Sequence, residues 1–131
     1  MKITDMLMND DVRFKNVVKF DNWVMPPEKD LKNVGFSTKD LDRAKIIVIP
    51  KSYFLKDDFF EPFTMKDINE TKDNRIRKIA NGFLNNDKMP YLIATTFEKE
   101  GKPPYIEVLD GFTRAGICIP LKIKEIKAIL L

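Results

Sequence analysis

The pattern of hydrophobic and polar positions changes character along the chain. Residues 45–50, KIIVIP, form an uninterrupted branched-aliphatic run closed by Pro50, which predicts a short strand buried on both faces. Ile76, Ile79, Ala80, Phe83 and Leu84 recur at helical spacing while Lys72, Arg75 and Lys78 point elsewhere, so residues 66–84 read as the main helix. Asn85 and Asn86 are suited to end it in left-handed geometry. Two strands come next, 91–97 and 104–109, joined by the charged loop EKEGKPP. In the closing segment Leu121, Ile123 and Ile126 alternate imperfectly with Lys122, Lys124 and Glu125, as a last strand would.

Residues 1–43 are less legible. VRFKNVVKF alternates in part and suggests a strand, and the paired prolines Pro26 and Pro27 force a turn or an extended run after the apolar Trp23, Val24 and Met25. Those apolar residues read as core, or as an anchor for a partner. Ser37 with Asp40 three residues on predicts a cap on a short helix through TKDLDRA. Between the aliphatic run and the main helix lies a loop rich in aromatics: Tyr53, Phe54, Phe59, Phe60 and Phe63. The ordinary role for such side chains is a lid on the core, the sharper one a base-stacking surface.

This order predicts one α+β domain, a small mixed β-sheet with one main packed helix. Its 131 residues suit a single domain, read as an N-terminal extension, 1–43, packing on a core of 44–131. Apolar residues at 44% and charged residues at 33% fit a folded, soluble chain. No run reaches the roughly 18 apolar residues of a membrane helix, so no membrane partner and a cytoplasmic location are expected. The net charge of +3 allows DNA contact without arguing for it. One cysteine, Cys118, excludes an internal disulfide, and the lack of histidine removes the usual general base and commonest metal ligand.

The chemistry concentrates in VLDGFTRAG, residues 108–116. Asp110 ends a strand and Gly111 permits backbone angles or an approach that a side chain would block. A helical turn beginning at Phe112 would turn its amides toward an anion, Thr113 would add a hydroxyl, and Arg114 a planar fork of donors. Asp110 is then placed to hold a divalent cation beside a phosphate or to take a proton from an attacking hydroxyl. Lys88 is a further source of positive charge, as is the stripe Lys72, Arg75 and Lys78, whose ordinary reading is a solvated helix face. The plain reading of Asp-Gly is a surface turn.

From Lys45 to Leu131 the chain resembles the ParB N-terminal and sulfiredoxin-like superfamily. The pieces that carry the likeness are KIIVIP, the helix ending RKIANGFLNNDKMP, then YLIATTF, YIEVLDGFTRAG and IPLKIKEI. That resemblance implies binding of ATP or CTP with Mg2+, with Gly111, Thr113 and Arg114 on the phosphates; Phe112, where the turn begins, joins them as a nucleotide-binding candidate. The resemblance matches Asp110, the candidate catalytic residue and metal ligand, to the acidic residue of the kinase-like D-G-x-x-R branch. The chain departs from sulfiredoxins in having Phe112 after the glycine, from partition clamps in having Thr113, and from the serine kinases in having no histidine before the arginine.

Two further functions stay open. One is a non-catalytic binding protein that uses the fold as a scaffold for a protein or DNA partner. The other is a ParB-like nuclease with Asp57, Asp58 and Glu61 beside Asp110. The favoured expectation is a nucleotide hydrolase or phosphotransferase.

Overall fold

The computed structural model describes residues 20–55 and 61–131. The readings of VRFKNVVKF up to Lys19, and of Asp57, Asp58, Phe59 and Phe60, lie outside them.

Four strands form a mixed sheet. They are β2 (Lys45–Ile49), β4 (Leu92–Phe97), β5 (Tyr105–Asp110) and β6 (Ile126–Leu130), in the order β2-β6-β4-β5. β6 runs antiparallel to β2 and parallel to β4, and β4 runs antiparallel to β5. A separate short pair joins β1 (Trp23–Val24) in parallel to β3 (Met89–Pro90). Helices fill the connections: α1 (Glu28–Asn33), α2 (Lys51–Leu55), α3 (Met65–Glu70), α4 (Asn74–Leu84) and α5 (Phe112–Cys118). The fold is a small mixed α/β domain, more helical than the sequence pattern predicts.

Both faces of the central strands are covered. On the front, Leu92, Ala94, Ile126 and Ala128 pack with Phe54, Met65, Phe83 and Ile117 from the helices. On the back, Ile93 and Ile129 pack with Leu31 of α1 and with the half-buried Val34, Phe36 and Leu41. Phe20 and Trp23 belong to the front cluster, where both meet the Phe83 ring edge-on at 4.7 and 5.7 Å. Of the described part of the extension, Trp23 is core, whereas Met25 is 47% exposed.

Three expectations are corrected. Among the described strands β2 lies at the edge, because β6 pairs with only one side of it, and Ile46 and Val48 are exposed. The helix expected over 66–84 is two helices broken at 71–73. Thr64 caps α3 with a reciprocal bond to Asp67, and Asp73 caps α4 by accepting from the Arg75 amide at 2.9 Å. A strong N-cap residue, Asp73, inside one apolar pattern restarts the helix. The last strand begins only at Ile126; Lys122 takes a left-handed φ of 60°, which no strand continues through.

Other local signals place as read. Asn86 is left-handed after α4, although Asn85 is not. Asp40 accepts from the Ser37 amide at 2.8 Å and from Arg43 at 2.7 Å, closing a 3-10 helix over Thr38–Arg43. The Ser37 amide first, then Arg43, hold the Asp40 carboxyl below its ordinary range. In the aromatic segment Phe54 is fully buried, with Tyr53 and Phe63 packed against the same core. For the described aromatics the lid reading stands.

Candidate functional site

β5 does not run straight into its last residue. Ala94 pairs with Val108 but Ile93 pairs with Asp110, so Leu109 is an extra residue and the strand bulges there. A bulge bends a strand and re-aims the side chains beyond it. Successive residues of a regular strand point to opposite faces, yet Leu109 and Asp110 line one cavity. The Val108 amide donates to the Tyr53 hydroxyl at 3.0 Å, so α2 braces the strand beside the bulge.

Gly111 then turns the chain. It is buried, with φ 110° and ψ 14°, in the left-handed region that side chains disfavour. A Cβ there would collide with the Leu92 side chain and come within 3.1 Å of Arg114 Nη2. Conformation and space both require glycine. The Gly111 carbonyl accepts from the Ala115 amide at 2.9 Å, which starts α5, and no side chain caps that helix. Despite Gly116, α5 holds for seven residues, longer than the sequence predicts, because four of them, Ala115 to Cys118, are buried in the core.

Arg114 is the third residue of α5, in its first turn, and its side chain is only 13% exposed. Its Nη2 donates to the Tyr91 carbonyl at 3.4 Å and to Asp110 Oδ2 at 3.5 Å. Both are long beside the roughly 2.7–2.9 Å of a strong charge-assisted bond. Its Nε is buried and has no partner among the described residues. A buried donor left unpaired costs about 1–3 kcal/mol, so this guanidinium is held in place but under-satisfied.

The cavity that Arg114 faces has a volume of about 180 Å³. Leu109 and Asp110 supply one part of its wall, the turn at 111–114 another, and Arg75 with Ile79 the part from α4. Arg75 and Ile79 are four residues apart, on one helix face. The side chains therefore contribute two guanidiniums and one carboxylate.

The structure thus brings Asp110, Gly111, Phe112, Thr113 and Arg114 around one cavity. Lys88 is exposed in the turn before β3 and is not part of that wall. Lys72, in the break before α4, and Lys78, on α4, are exposed as well. Arg75 is exposed like the rest of that stripe, yet it also lines the cavity; its place four residues before Ile79 of the apolar stripe is the signal that could have found it. The bulge at Leu109 leaves no signal in the sequence.

Among the described residues no group of three or more Asp, Glu, Cys or His is placed to hold a metal. Asp110 is the one carboxylate of the cavity, and Glu61 is exposed. Cys118 ends α5 fully buried; burial pushes its thiol up, against weaker opposing pulls from Arg114 and Lys51. The reactive thiolate is thereby suppressed. A larger cavity, about 350 Å³, sits where α3 meets α4 and carries Asp67 and Glu70 with no cation in its lining.

No helix among the described residues is long and apolar enough to cross a membrane. No family model, curated protein or solved structure matches the chain.

Proposed function

We propose that the chain binds the phosphates of ATP or CTP at the corner formed by residues 110–114. In this reading it acts on them as a hydrolase or phosphotransferase of the ParB and sulfiredoxin-like type. The observation that carries the reading is the state of Arg114, a nearly buried guanidinium with an unpaired Nε and two long contacts, facing a cavity that also holds Arg75. A phosphate oxygen would pair with the part of the guanidinium that lines the cavity, where its contacts to protein are long. Guanidiniums present planar donor pairs matched to phosphate, which is why arginine rather than lysine suits this place. The succession β2, α4, β4 and β5 follows the order of the pieces on which the resemblance rests, but the closing strand is Ile126–Leu130 and not IPLKIKEI.

The residues divide the work by chemistry. Arg114 and Arg75 offset phosphate charge, and Gly111 keeps the backbone bare where a side chain would fill the corner. Asp110, with 39% of its side chain exposed, is reachable by a water or hydroxyl whose proton it accepts. The donor set suits magnesium only as a metal shared with the ligand, since magnesium is commonly held by one or two carboxylates plus substrate phosphates. Asp110 would be its protein ligand. Magnesium there would draw charge from the phosphate oxygens.

Calorimetric titration with ATP and CTP in the presence of magnesium tests the binding. Phosphate release by wild type and Asp110→Asn tests the chemistry. Binding by both proteins with release by wild type alone is the expected result. Binding without release withdraws the enzyme and leaves a binding protein, and no binding at millimolar nucleotide ends the reading.

A further inference from the structure

We infer that this site recognises a linear phosphate chain and does not read the base attached to it. The inference rests on the phosphate site proposed above and narrows its ligand class.

Size is the first ground. A cavity of about 180 Å³ lies below the roughly 300–1,000 Å³ of sites that engulf a drug-sized ligand. Phosphates enter; a base and its sugar stay outside. The lining is the second ground. Its polar side chains are Arg75, Arg114, Asp110 and Thr113. Telling one base from another needs a fixed set of donors and acceptors against the base edge; here two arginines offer donors alone, and the side-chain acceptors are only Thr113 and Asp110, which already accepts from Arg114. The arginines suit the oxygens of successive phosphates instead.

The rim is the third ground. Phe112 is 38% exposed at the cavity and meets Phe54 edge-on at 6.1 Å. An aromatic at the mouth stacks any base through its π-face, which tolerates all four. The larger cavity cannot take the same ligand, because Asp67 and Glu70 would repel it. The shared chemistry is a chain of two or more phosphates, whose source is either a nucleotide or an inorganic polyphosphate.

Titration of the full chain with ATP, CTP, GTP, UTP, inorganic triphosphate and orthophosphate separates these cases. The four nucleotides are expected within about fivefold of each other, inorganic triphosphate within about tenfold of them, and orthophosphate far weaker. Arg75→Gln should weaken all the chain ligands by about the same factor, on the order of tenfold, as expected for one charged hydrogen bond. A preference above about tenfold for one base overturns base-blindness while leaving the nucleotide site intact. Nucleotide binding without triphosphate binding also overturns it. Failure of every phosphate ligand instead removes the site on which the inference rests. A folded Arg75→Gln protein, shown by an unchanged circular dichroism spectrum, that binds all ligands as wild type does would take Arg75 out of recognition and overturn the two-arginine account.

Discussion

The corner at 110–114 and the strand at 45–49 invert each other. In the corner, a guanidinium is nearly buried and a glycine is buried beside it. In the strand, Ile46 and Val48 are 53% and 47% exposed although the run holds the most branched aliphatics in the chain. Residue type alone would assign the reverse. The cause is topological: β5 leads into a helix that packs under the sheet, which carries Arg114 inward, whereas β2 lies outside β6 and has no neighbour beyond it among the described strands. The corner thus holds a nearly buried cation with long contacts, and the edge holds two aliphatics that are exposed among the described residues.

The largest effect is expected at Gly111. Gly111→Ala combines a strained left-handed backbone with a clash against Leu92, each costing about 1–3 kcal/mol, so a loss of roughly 2–6 kcal/mol is predicted by urea denaturation. Gly35 supplies the control. It too has positive φ, 88°, but nothing lies within 4 Å of an added Cβ, so Gly35→Ala should cost only the backbone part. Equal losses at the two glycines would show that the tight corner does not exist.

Arg114 separates ligand chemistry from stability. Replacing a buried charge by an apolar residue of similar length is often neutral or stabilising, because the cost of removing the charge from water disappears. Asp110 stays solvated on its exposed side. Arg114→Met is therefore expected to keep or raise the melting temperature while nucleotide affinity falls by about tenfold or more, read by calorimetry. A fall in melting temperature of several degrees with affinity unchanged would make Arg114 a structural residue and reverse its assignment.

How much of the fold is readable before folding depends on what each signal measures. Spacing marks Ala80 and Phe83 as core, and the pair β4 and β5 lies within a residue of the expected spans, since alternation and the glycine-containing loop are local signals. The mixed helix-and-sheet composition is legible for the same reason. KIIVI misleads about burial because strand order is non-local; the both-faces-covered role falls to Ile126–Leu130, whose Lys127 hides it. The helix break at 71–73 is present as Asp73, a cap residue, but the apolar period runs across it. At the site, Asp110 to Arg114 are legible as neighbours in sequence. Arg75 reaches the same cavity from a distant part of the chain, and Leu109 joins it only through a bulge.

Cys118 extends the comparison inside α5, where a polarisable side chain is sealed beside the nearly buried Arg114. Its thiol is held protonated by burial above the ordinary value of 9.0, so the unfolded chain releases that proton first. The sign is then fixed: the thiol's contribution is complete below pH 9.0 and is lost as pH rises past it. Between pH 8 and 10 the stability advantage of wild type over Cys118→Ala should shrink by about 1 kcal/mol, measured by urea denaturation at each pH. A constant difference would mean that water reaches the sulfur.

The smallest effect belongs to the edge. Ile46 and Val48 alternate with Ile47 and Ile49, which point to the core, and their register partners on β6 are Ile129 and Lys127. Ile129 is fully buried, so Ile129→Ala should cost about 2–5 kcal/mol, like other core truncations. Across the ladder, Ile46→Thr retains a β-branched shape on a half-exposed position and should stay within about 0.5 kcal/mol of wild type, as surface substitutions do. The double variant Ile46→Thr and Val48→Thr should unfold with nearly the wild-type midpoint and aggregate less on heating, because an apolar edge with unpaired backbone groups is a template for another strand. A loss above about 2 kcal/mol in that double variant would mean that the edge is covered in solution, and the contrast between a strand left outside and a corner drawn inside would no longer hold.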